Sequence, residues 1–116
     1  RIDLLLEDAN KGLCYVEVKS VTLVVDGQAH FPDAVSVRGT KHLRELINMV
    51  ESGHRAVIFY CIQRGDTGAF APADDIDPEY GATLRKAVAA GVEALAYEAD
   101  VSADEILIAR NLPIQL

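Results

Sequence analysis

Apolar and polar side chains alternate along the start of the chain in a pattern that predicts β-strands. Two runs, 1–6 and 14–25, are rich in aliphatic, β-branched and aromatic residues and contain neither glycine nor proline. The stretch between them, 7–12, is polar and carries turn-forming residues. We therefore predict that the two runs pair as a hairpin, and that the long second strand ends at the turn dipeptide Asp26-Gly27.

A helical pattern follows over residues 40–52. Apolar side chains recur there at spacings of three and four, with Thr40 as the predicted N-cap and Gly53 at the position of a C-terminal glycine. The next run, 56–62, is continuously apolar, which is typical of a strand buried on both faces in a parallel sheet. The order strand, helix, strand predicts one βαβ unit.

The second half of the chain predicts one more helix and two more strands. Asp77-Pro78 has the sequence of an N-cap followed by a first-turn proline, and the helix that it starts is predicted to end near Gly91. The remaining elements are the strands 92–97 and 106–109 and the loops 30–39 and 65–75. The short last strand is expected at an edge. The predicted fold class is α/β, with one mixed central β-sheet flanked by helices in a single domain over residues 1–116.

Charge is unevenly distributed along the chain, whose formal charge is −7. Residues 1–64 hold eight basic and eight acidic side chains, whereas residues 65–116 hold three basic and ten acidic ones. A net acidic domain attracts nucleic acid poorly, so contact with DNA must rest on a local patch, on metal ions or on a basic part outside these residues. We therefore expect the chain by itself to bind DNA weakly.

The sequence also predicts where the protein is located. Nothing in it approaches the roughly 20 consecutive apolar residues that span a membrane. Its two cysteines, Cys14 and Cys61, are too far apart for a zinc signature, which predicts buried reduced thiols in a cytoplasmic protein. Because the chain begins at Arg1, already inside a strand pattern, we expect a fragment of a longer protein. Its acidic, partly apolar surface is compatible with a homodimer.

Three charged side chains interrupt the apolar hairpin: Asp3 in its first strand, and Glu17 and Lys19 in its second. Residues two apart on a strand share a face, and a hairpin can bring carboxylates of both strands side by side. Two carboxylates can hold Mg²⁺ or Mn²⁺, which polarises a phosphate and acidifies a bound water, while lysine positions that water or stabilises the developing charge. The spacing Asp-(x)13-Glu-x-Lys matches the PD-(D/E)xK nuclease pattern. A structural Glu17–Lys19 ion pair is the alternative, and periodicity alone favours it.

Seven segments spread over the chain carry a family likeness. They are Arg1-Ile2-Asp3-Leu4-Leu5-Leu6, Tyr15–Leu23, Phe31-Pro32-Asp33-Ala34, Arg38–Leu43, Ile76-Asp77-Pro78, Gly91–Tyr97 and Leu112-Pro113-Ile114. Together they closely resemble the sugar fermentation stimulation protein A family, and the resemblance covers essentially the whole chain. The chain looks like the C-terminal domain of such a protein, without the family's N-terminal OB-like domain. The resemblance implies a restriction-endonuclease-like fold, DNA binding with little sequence preference and a role in regulating sugar (maltose) metabolism genes.

The resemblance also assigns roles to individual residues. It maps the nuclease core onto Asp3, Glu17 and Lys19, with Asp3 and Glu17 as the metal ligands. In related nucleases a further acidic ligand often comes from an upstream element that lies outside these residues. Basic side chains at the start of a helix can bind a phosphate, and so can polar side chains at the end of a strand, where ligands usually bind. The side chains expected to contact nucleic acid or phosphate are Arg38, Lys41, His42, Gln63 and Arg64. A solvated loop and ordinary strand-end residues are the alternative for these positions.

Three functions from different classes follow from these observations. The first is a nuclease that depends on Mg²⁺ or Mn²⁺. The second is a non-catalytic DNA-binding regulator that keeps the same fold. The third is a regulatory module that binds a metabolite or a protein, in which Glu17 and Lys19 form only a structural ion pair.

Overall fold

The structure is a computed structural model that describes residues 4–8, 12–63, 66–101 and 106–116, with side chains described for 13–63, 66–99 and 110–116. Eight strands and two helices are found in these residues. In chain order they are β1 (Leu4–Asp8), β2 (Gly12–Val21), β3 (Leu23–Val25), β4 (Gln28–Phe31), α1 (Val37–Glu51), β5 (Arg55–Ile62), β6 (Ala69–Pro72), α2 (Pro78–Ala90), β7 (Glu93–Val101) and β8 (Ile106–Asn111).

A mixed five-stranded sheet, in the order β1-β2-β5-β7-β8, forms the centre of the fold. The three inner strands run parallel, and β1 and β8 pair antiparallel at the two edges. The predicted hairpin of β1 and β2 and the predicted edge position of the last strand are therefore confirmed. The parallel pair β2 and β5 is connected through α1, as the βαβ pattern predicts. The α/β class with a mixed central sheet is confirmed.

The predicted long strand 14–25 is wrong, because the chain changes sheets at Thr22. β2 ends at Val21, whose carbonyl accepts a hydrogen bond from the backbone N–H of Gln63, and β3 begins a second sheet in the order β3-β4-β6. A run of β-branched residues indicates an extended backbone, but it does not indicate where the neighbouring strand that pairs with it changes. The turn at Asp26-Gly27 is confirmed, although it joins β3 to β4, and both residues have positive φ.

Two predicted loops contain the other strands of this smaller sheet. β4 overlaps the start of the loop predicted at 30–39, and β6 lies inside the one predicted at 65–75. The two strands pair in parallel, with Gln28 opposite Ala69, so they are brought together by tertiary structure. Each has only four residues, which is too short for a clear alternating pattern.

The two helices begin at N-caps that can be read from their hydrogen bonds. The hydroxyl oxygen of Ser36 accepts from the backbone N–H of Gly39 at 2.9 Å, so α1 begins three residues before the predicted cap Thr40. α2 begins as predicted: Asp77 accepts from the backbone N–H of Tyr80 at 3.0 Å, and proline occupies the first helical position. It also ends as predicted, at Gly91 with a φ of 111°.

The hydrophobic core joins the two helices to the sheet. α1 packs on β2 and β5, and α2 packs on α1 and β6. The largest core side chains are Leu43 and Leu46 of α1, Tyr80 and Leu84 of α2, Ile58, Tyr60 and Ile62 of β5, and Phe70 of β6. On β5 these residues occupy alternate positions, so one face of the strand is turned toward the helices.

Other expectations from the sequence concern the thiols and the membrane. Cys14 and Cys61 are free thiols; Cys14 is buried as expected, whereas Cys61 is half-buried, and this burial raises the pKa of Cys61. No helix among the described residues has the length and apolar character needed to cross a membrane.

Candidate metal centre

Glu17 and Lys19 lie on β2 and face the helix-covered side of the sheet. In the parallel ladder with β5, Glu17 is the partner of Ile58 and Lys19 is the partner of Tyr60, both of which belong to the core. Directly paired residues of neighbouring strands share a face. Glu17 is consequently only 2% exposed, which is unusual for a carboxylate and requires compensating contacts.

A histidine from α1 completes a compact group around this carboxylate, which we call the Glu17–Lys19–His42 cluster. Lys19 Nζ lies 3.2 Å from Glu17 Oε2 and 2.9 Å from His42 Nδ1. His42 Nδ1 lies 3.4 Å from the same oxygen of Glu17. The side chain of Lys19 keeps 14% of its surface exposed, so the cluster is buried on one side and reaches solvent through the lysine.

The geometry of the cluster assigns the imidazole tautomer. The ammonium of Lys19 can only donate, so Nδ1 of His42 accepts its hydrogen bond and the ring proton is on Nε2. Burial, followed by the positive charge of Lys19, lowers the pKa of His42 below its ordinary value of 6.5. The ring is therefore neutral at pH 7, and Lys19 can donate to the imidazole and to the carboxylate at once.

An aromatic wall limits the polarity around the cluster. The hydroxyls of Tyr60 and Tyr80 are 2.6 Å apart and buried, and the ring of Phe31 packs against both. Burial raises the pKa of Tyr80 well above its ordinary value, and the negative charge of Glu17 raises it further. Both tyrosines therefore stay protonated, and the charges of the cluster act in a region of low polarity, where electrostatic interactions are strong.

The structure places one of the two predicted metal ligands. Asp3 lies outside the described residues, and the last described pair of the β1–β2 ladder is Leu4 with Val16, the residue before Glu17. The predicted convergence of Asp3 and Glu17 stays a prediction. Nowhere in the described residues do three or more His, Cys, Asp or Glu side chains form a metal-binding group. Glu17 fits Mg²⁺ or Mn²⁺ as a buried hard oxygen donor, and a complete site requires further ligands such as Asp3.

The structure describes four of the five predicted phosphate-binding residues, three on α1 and one after β5. Arg38 and Lys41 are exposed in the first turns of α1; Lys41 was predicted in this helix, whereas Arg38 was predicted in the preceding loop. Gln63 is exposed after β5, and its Nε2 donates to Ser20 Oγ at 2.6 Å. Arg64 lies outside the described residues. The structure therefore places Arg38 and Lys41 on α1 and Gln63 directly after β5.

His42 is the predicted phosphate ligand whose observed place differs most from the expectation. It is 6% exposed and contacts Lys19 and Glu17 in the cluster. A signal for this position was present in the sequence. His42 precedes Leu46 by four residues and therefore belongs to the apolar stripe of α1. A polar side chain on the buried stripe of a helix indicates a specific partner.

Sequence comparisons find relatives of this chain among known proteins. The family model described as "Sugar fermentation stimulation protein RE domain" matches residues 1–105. Proteins called "Sugar fermentation stimulation protein homolog" from Shewanella sp. strain MR-4 and Citrifermentans bemidjiense are 55% and 60% identical to the whole chain, which covers 50% of each. The chain thus spans about half the length of these relatives.

A solved structure extends the comparison to three dimensions. "The structure of Pyrococcus Furiosus SfsA in complex with Ca2+" superposes on the entire chain with a TM-score of 0.92 and 33% sequence identity, and the chain covers 50% of that protein. The agreement in sequence and the agreement in fold both cover all 116 residues. This chain is therefore a member of the sugar fermentation stimulation protein family.

Proposed function

We propose that this chain carries a site for divalent-metal-dependent cleavage of DNA phosphodiester bonds, within a protein that binds DNA and regulates sugar (maltose) metabolism. The observation that carries the proposal is the buried pair of Glu17 Oε2 and Lys19 Nζ at 3.2 Å, on one face of β2. The Pyrococcus furiosus relative was solved in complex with Ca²⁺, which supports a divalent-cation site in the family.

The residues of the proposed site divide the chemistry between them. Glu17, together with Asp3, would hold Mg²⁺ or Mn²⁺, which supplies Lewis acidity and a more acidic water when it is bound. Lys19 donates hydrogen bonds and carries the positive charge that stabilises negative charge developing on a phosphate oxygen. The aromatic wall of Tyr60 and Tyr80 excludes water from the inner side, which strengthens that electrostatic effect.

Contact with DNA would come from exposed basic side chains beside the cluster. Arg38 and Lys41 lie on the same helix as His42, near its positive N-terminal end, where phosphate oxygens bind favourably. Gln63 and Arg64 would add contacts at the end of β5. Because the chain has a formal charge of −7, we expect binding to be weak, to depend on these few contacts and to fall with salt in proportion to their number.

The proposal is tested with the full-length protein, plasmid and single-stranded DNA, and Mg²⁺ or Mn²⁺. Wild type should cleave, and Glu17→Gln and Lys19→Met should each reduce the rate by about 100-fold or more. Glu98→Gln is the matched control, because Glu98 is also buried and ion-paired, with Arg110, but does not belong to the cluster. Equal behaviour of wild type and Glu17→Gln on every substrate would contradict the nuclease function.

A non-catalytic regulatory module is the second candidate. The observation that favours it is that Lys19 already balances the charge of Glu17 within the protein, as in a structural ion pair. DNA binding with a clear salt dependence but no metal requirement would support a DNA-binding regulator. A thermal-shift screen with sugars and sugar phosphates tests for a metabolite-binding regulator, and an unchanged melting temperature throughout would count against it.

A further inference from the structure

The start of the helix that carries His42 is held by two capping hydrogen bonds. Ser36 caps α1 through the backbone N–H of Gly39, and the backbone N–H of Ser36 itself donates to Asp77 Oδ2 at 2.8 Å. Asp77 is at the same time the N-cap of α2. The start of α1 is thus held by the second helix, and His42 stands two turns or less from that attachment.

Lys19, in contrast, has a long flexible side chain that needs partners to hold its amine. Within the described residues its ammonium contacts two groups, Glu17 Oε2 and His42 Nδ1. The first of these is the carboxylate that would also hold the cation in the proposed site. A carboxylate whose charge is shared with a cation attracts an ammonium less strongly. His42 Nδ1 is then the contact that keeps the amine in place.

We propose that His42 is the positioning residue for Lys19, whose amine it holds beside Glu17 through the hydrogen bond accepted by Nδ1. The inference rests on the proposed function in so far as Lys19 acts on a phosphate there. Reactive groups have to be held to within about 0.5 Å of their working geometry, and a second layer of hydrogen bonds usually does this. The 2.9 Å contact joins the strand that carries Lys19 to the helix that carries Arg38 and Lys41.

A purely structural role for His42 would require only its volume and burial. Three substitutions separate the two roles. His42→Leu fills a similar volume without an acceptor, and His42→Asn places an amide oxygen near the position of Nδ1. His42→Gln reaches further and places its acceptor nearer to the position of Nε2. If His42 has a positioning role, the Lys19 amine should stay in place in His42→Asn and should lose its fixed position in His42→Leu and His42→Gln.

The first measurement does not require activity. In full-length protein with ¹⁵N-labelled lysine, the Nζ signal of Lys19 is recorded by NMR with and without Ca²⁺. We expect a defined signal in wild type under both conditions, a broadened or lost signal in His42→Leu with Ca²⁺, and recovery in His42→Asn. His30→Leu is the matched control, because His30 bonds Gln28 at 2.9 Å in the smaller sheet. A Lys19 signal in His42→Leu identical to that of wild type with and without Ca²⁺ overturns the inference.

The second measurement uses cleavage of DNA with Mn²⁺. His42→Leu should lower kcat by about 10-fold or more while KM stays within about threefold, and His42→Asn should recover most of kcat. If His42→Leu does not fold, the comparison of His42→Asn with His42→Gln decides: equal Lys19 signals overturn the inference. Absence of cleavage by wild type with a His42-dependent Lys19 signal would contradict the proposed function alone. Cleavage that is equal in wild type and His42→Leu would contradict the positioning role alone.

Discussion

Asp77 Oδ2 accepts a hydrogen bond from the backbone N–H of Ser36 at 2.8 Å, so the N-cap of the second helix holds the N-cap of the first. The other oxygen of Asp77 accepts from the backbone N–H of Tyr80 at 3.0 Å. One buried carboxylate therefore accepts hydrogen bonds at the starts of two helices. The N-caps of these helices, Ser36 and Asp77, are 41 residues apart in the chain. Asp77 thereby ties the start of α1, the helix that carries His42, to the start of α2.

Replacing this carboxylate should destabilise the protein. Asp77→Ala removes the N-cap of α2 and leaves the part-buried backbone N–H of Ser36 without its acceptor, which should lower the free energy of unfolding by about 2 kcal/mol. Urea unfolding followed by circular dichroism measures the loss. Asp75→Ala, at an exposed neighbouring position, is the control and should change stability by less than about 0.5 kcal/mol. A similar loss in both variants would mean that the cap is not the cause.

Removing the Thr40 hydroxyl should have the opposite effect. Thr40 is 3% exposed, and its Oγ1 has no hydrogen-bond partner among the described residues. Thr40→Val keeps the shape and removes the cost of that unpaired group, so the free energy of unfolding should rise by about 1 kcal/mol. Thr83→Val is the matched control, because Thr83 Oγ1 donates to the carbonyl oxygen of Glu79 at 2.8 Å and its removal should not stabilise. A clear loss of stability in Thr40→Val would refute the expectation.

The backbone at Gly91 predicts a cost for any side chain. Its φ is 111°, a conformation that L-residues rarely adopt, and a Cβ there would lie 3.2 Å from a methyl carbon of Val50. Gly91→Ala should therefore lower the free energy of unfolding by about 1–2 kcal/mol. Gly68→Ala is the control, because an added Cβ meets nothing within 4 Å and φ is not positive. Thermal unfolding should give a lower melting temperature for Gly91→Ala than for Gly68→Ala, and equal melting temperatures would show that the backbone at Gly91 is not strained by a side chain.

Stability should depend on pH through Glu98. Burial raises the pKa of this carboxylate, but hydrogen bonds from Thr67 and from Arg110 lower it more, so the pKa lies below its ordinary value of 4.5. Because the folded state holds the proton less tightly, the contribution of Glu98 is complete above about pH 4.5 and is lost as pH falls through the folded pKa. The free energy of unfolding of wild type should decrease over that window.

Two substitutions by glutamine isolate the contribution of Glu98 to the pH dependence of stability. Glu98→Gln should remove part of the acid-dependent slope of the free energy of unfolding below about pH 4.5. Glu79→Gln should leave the slope almost unchanged, because the side chain of Glu79 is 68% exposed and its ion pair with Arg44 is screened by solvent. Urea titrations at a series of pH values give the slopes, and equal slopes in wild type and Glu98→Gln would exclude this role for Glu98.

Local patterns in the sequence were sufficient for much of the main sheet and both helices. Alternation along β2 predicted that Glu17 and Lys19 share a face, and the pair Asp77-Pro78 with Gly91 predicted both ends of α2. These features depend on residues that are close in sequence. The apolar run of β5 likewise predicted a central parallel strand.

Features that depend on distant residues were not predicted. The change of sheet at Thr22 depends on which strand pairs with the chain, and the smaller sheet depends on the pairing of Gln28 with Ala69. The place of His42 depends on the packing of α1 on β2, which turns its imidazole toward Lys19. Its place near the start of the helix grouped it with Arg38 and Lys41 as a phosphate ligand, although its spacing to Leu46 indicated the buried stripe.

The passage from β2 to β3 through the single residue Thr22 has a mechanical consequence. With only one residue between the two strands, the chain has few backbone dihedral angles with which to turn from the larger sheet into the smaller one. Lys19 lies three residues ahead of that corner. A change in the angle between the two sheets would therefore begin three residues from the lysine whose amine contacts Glu17 and His42.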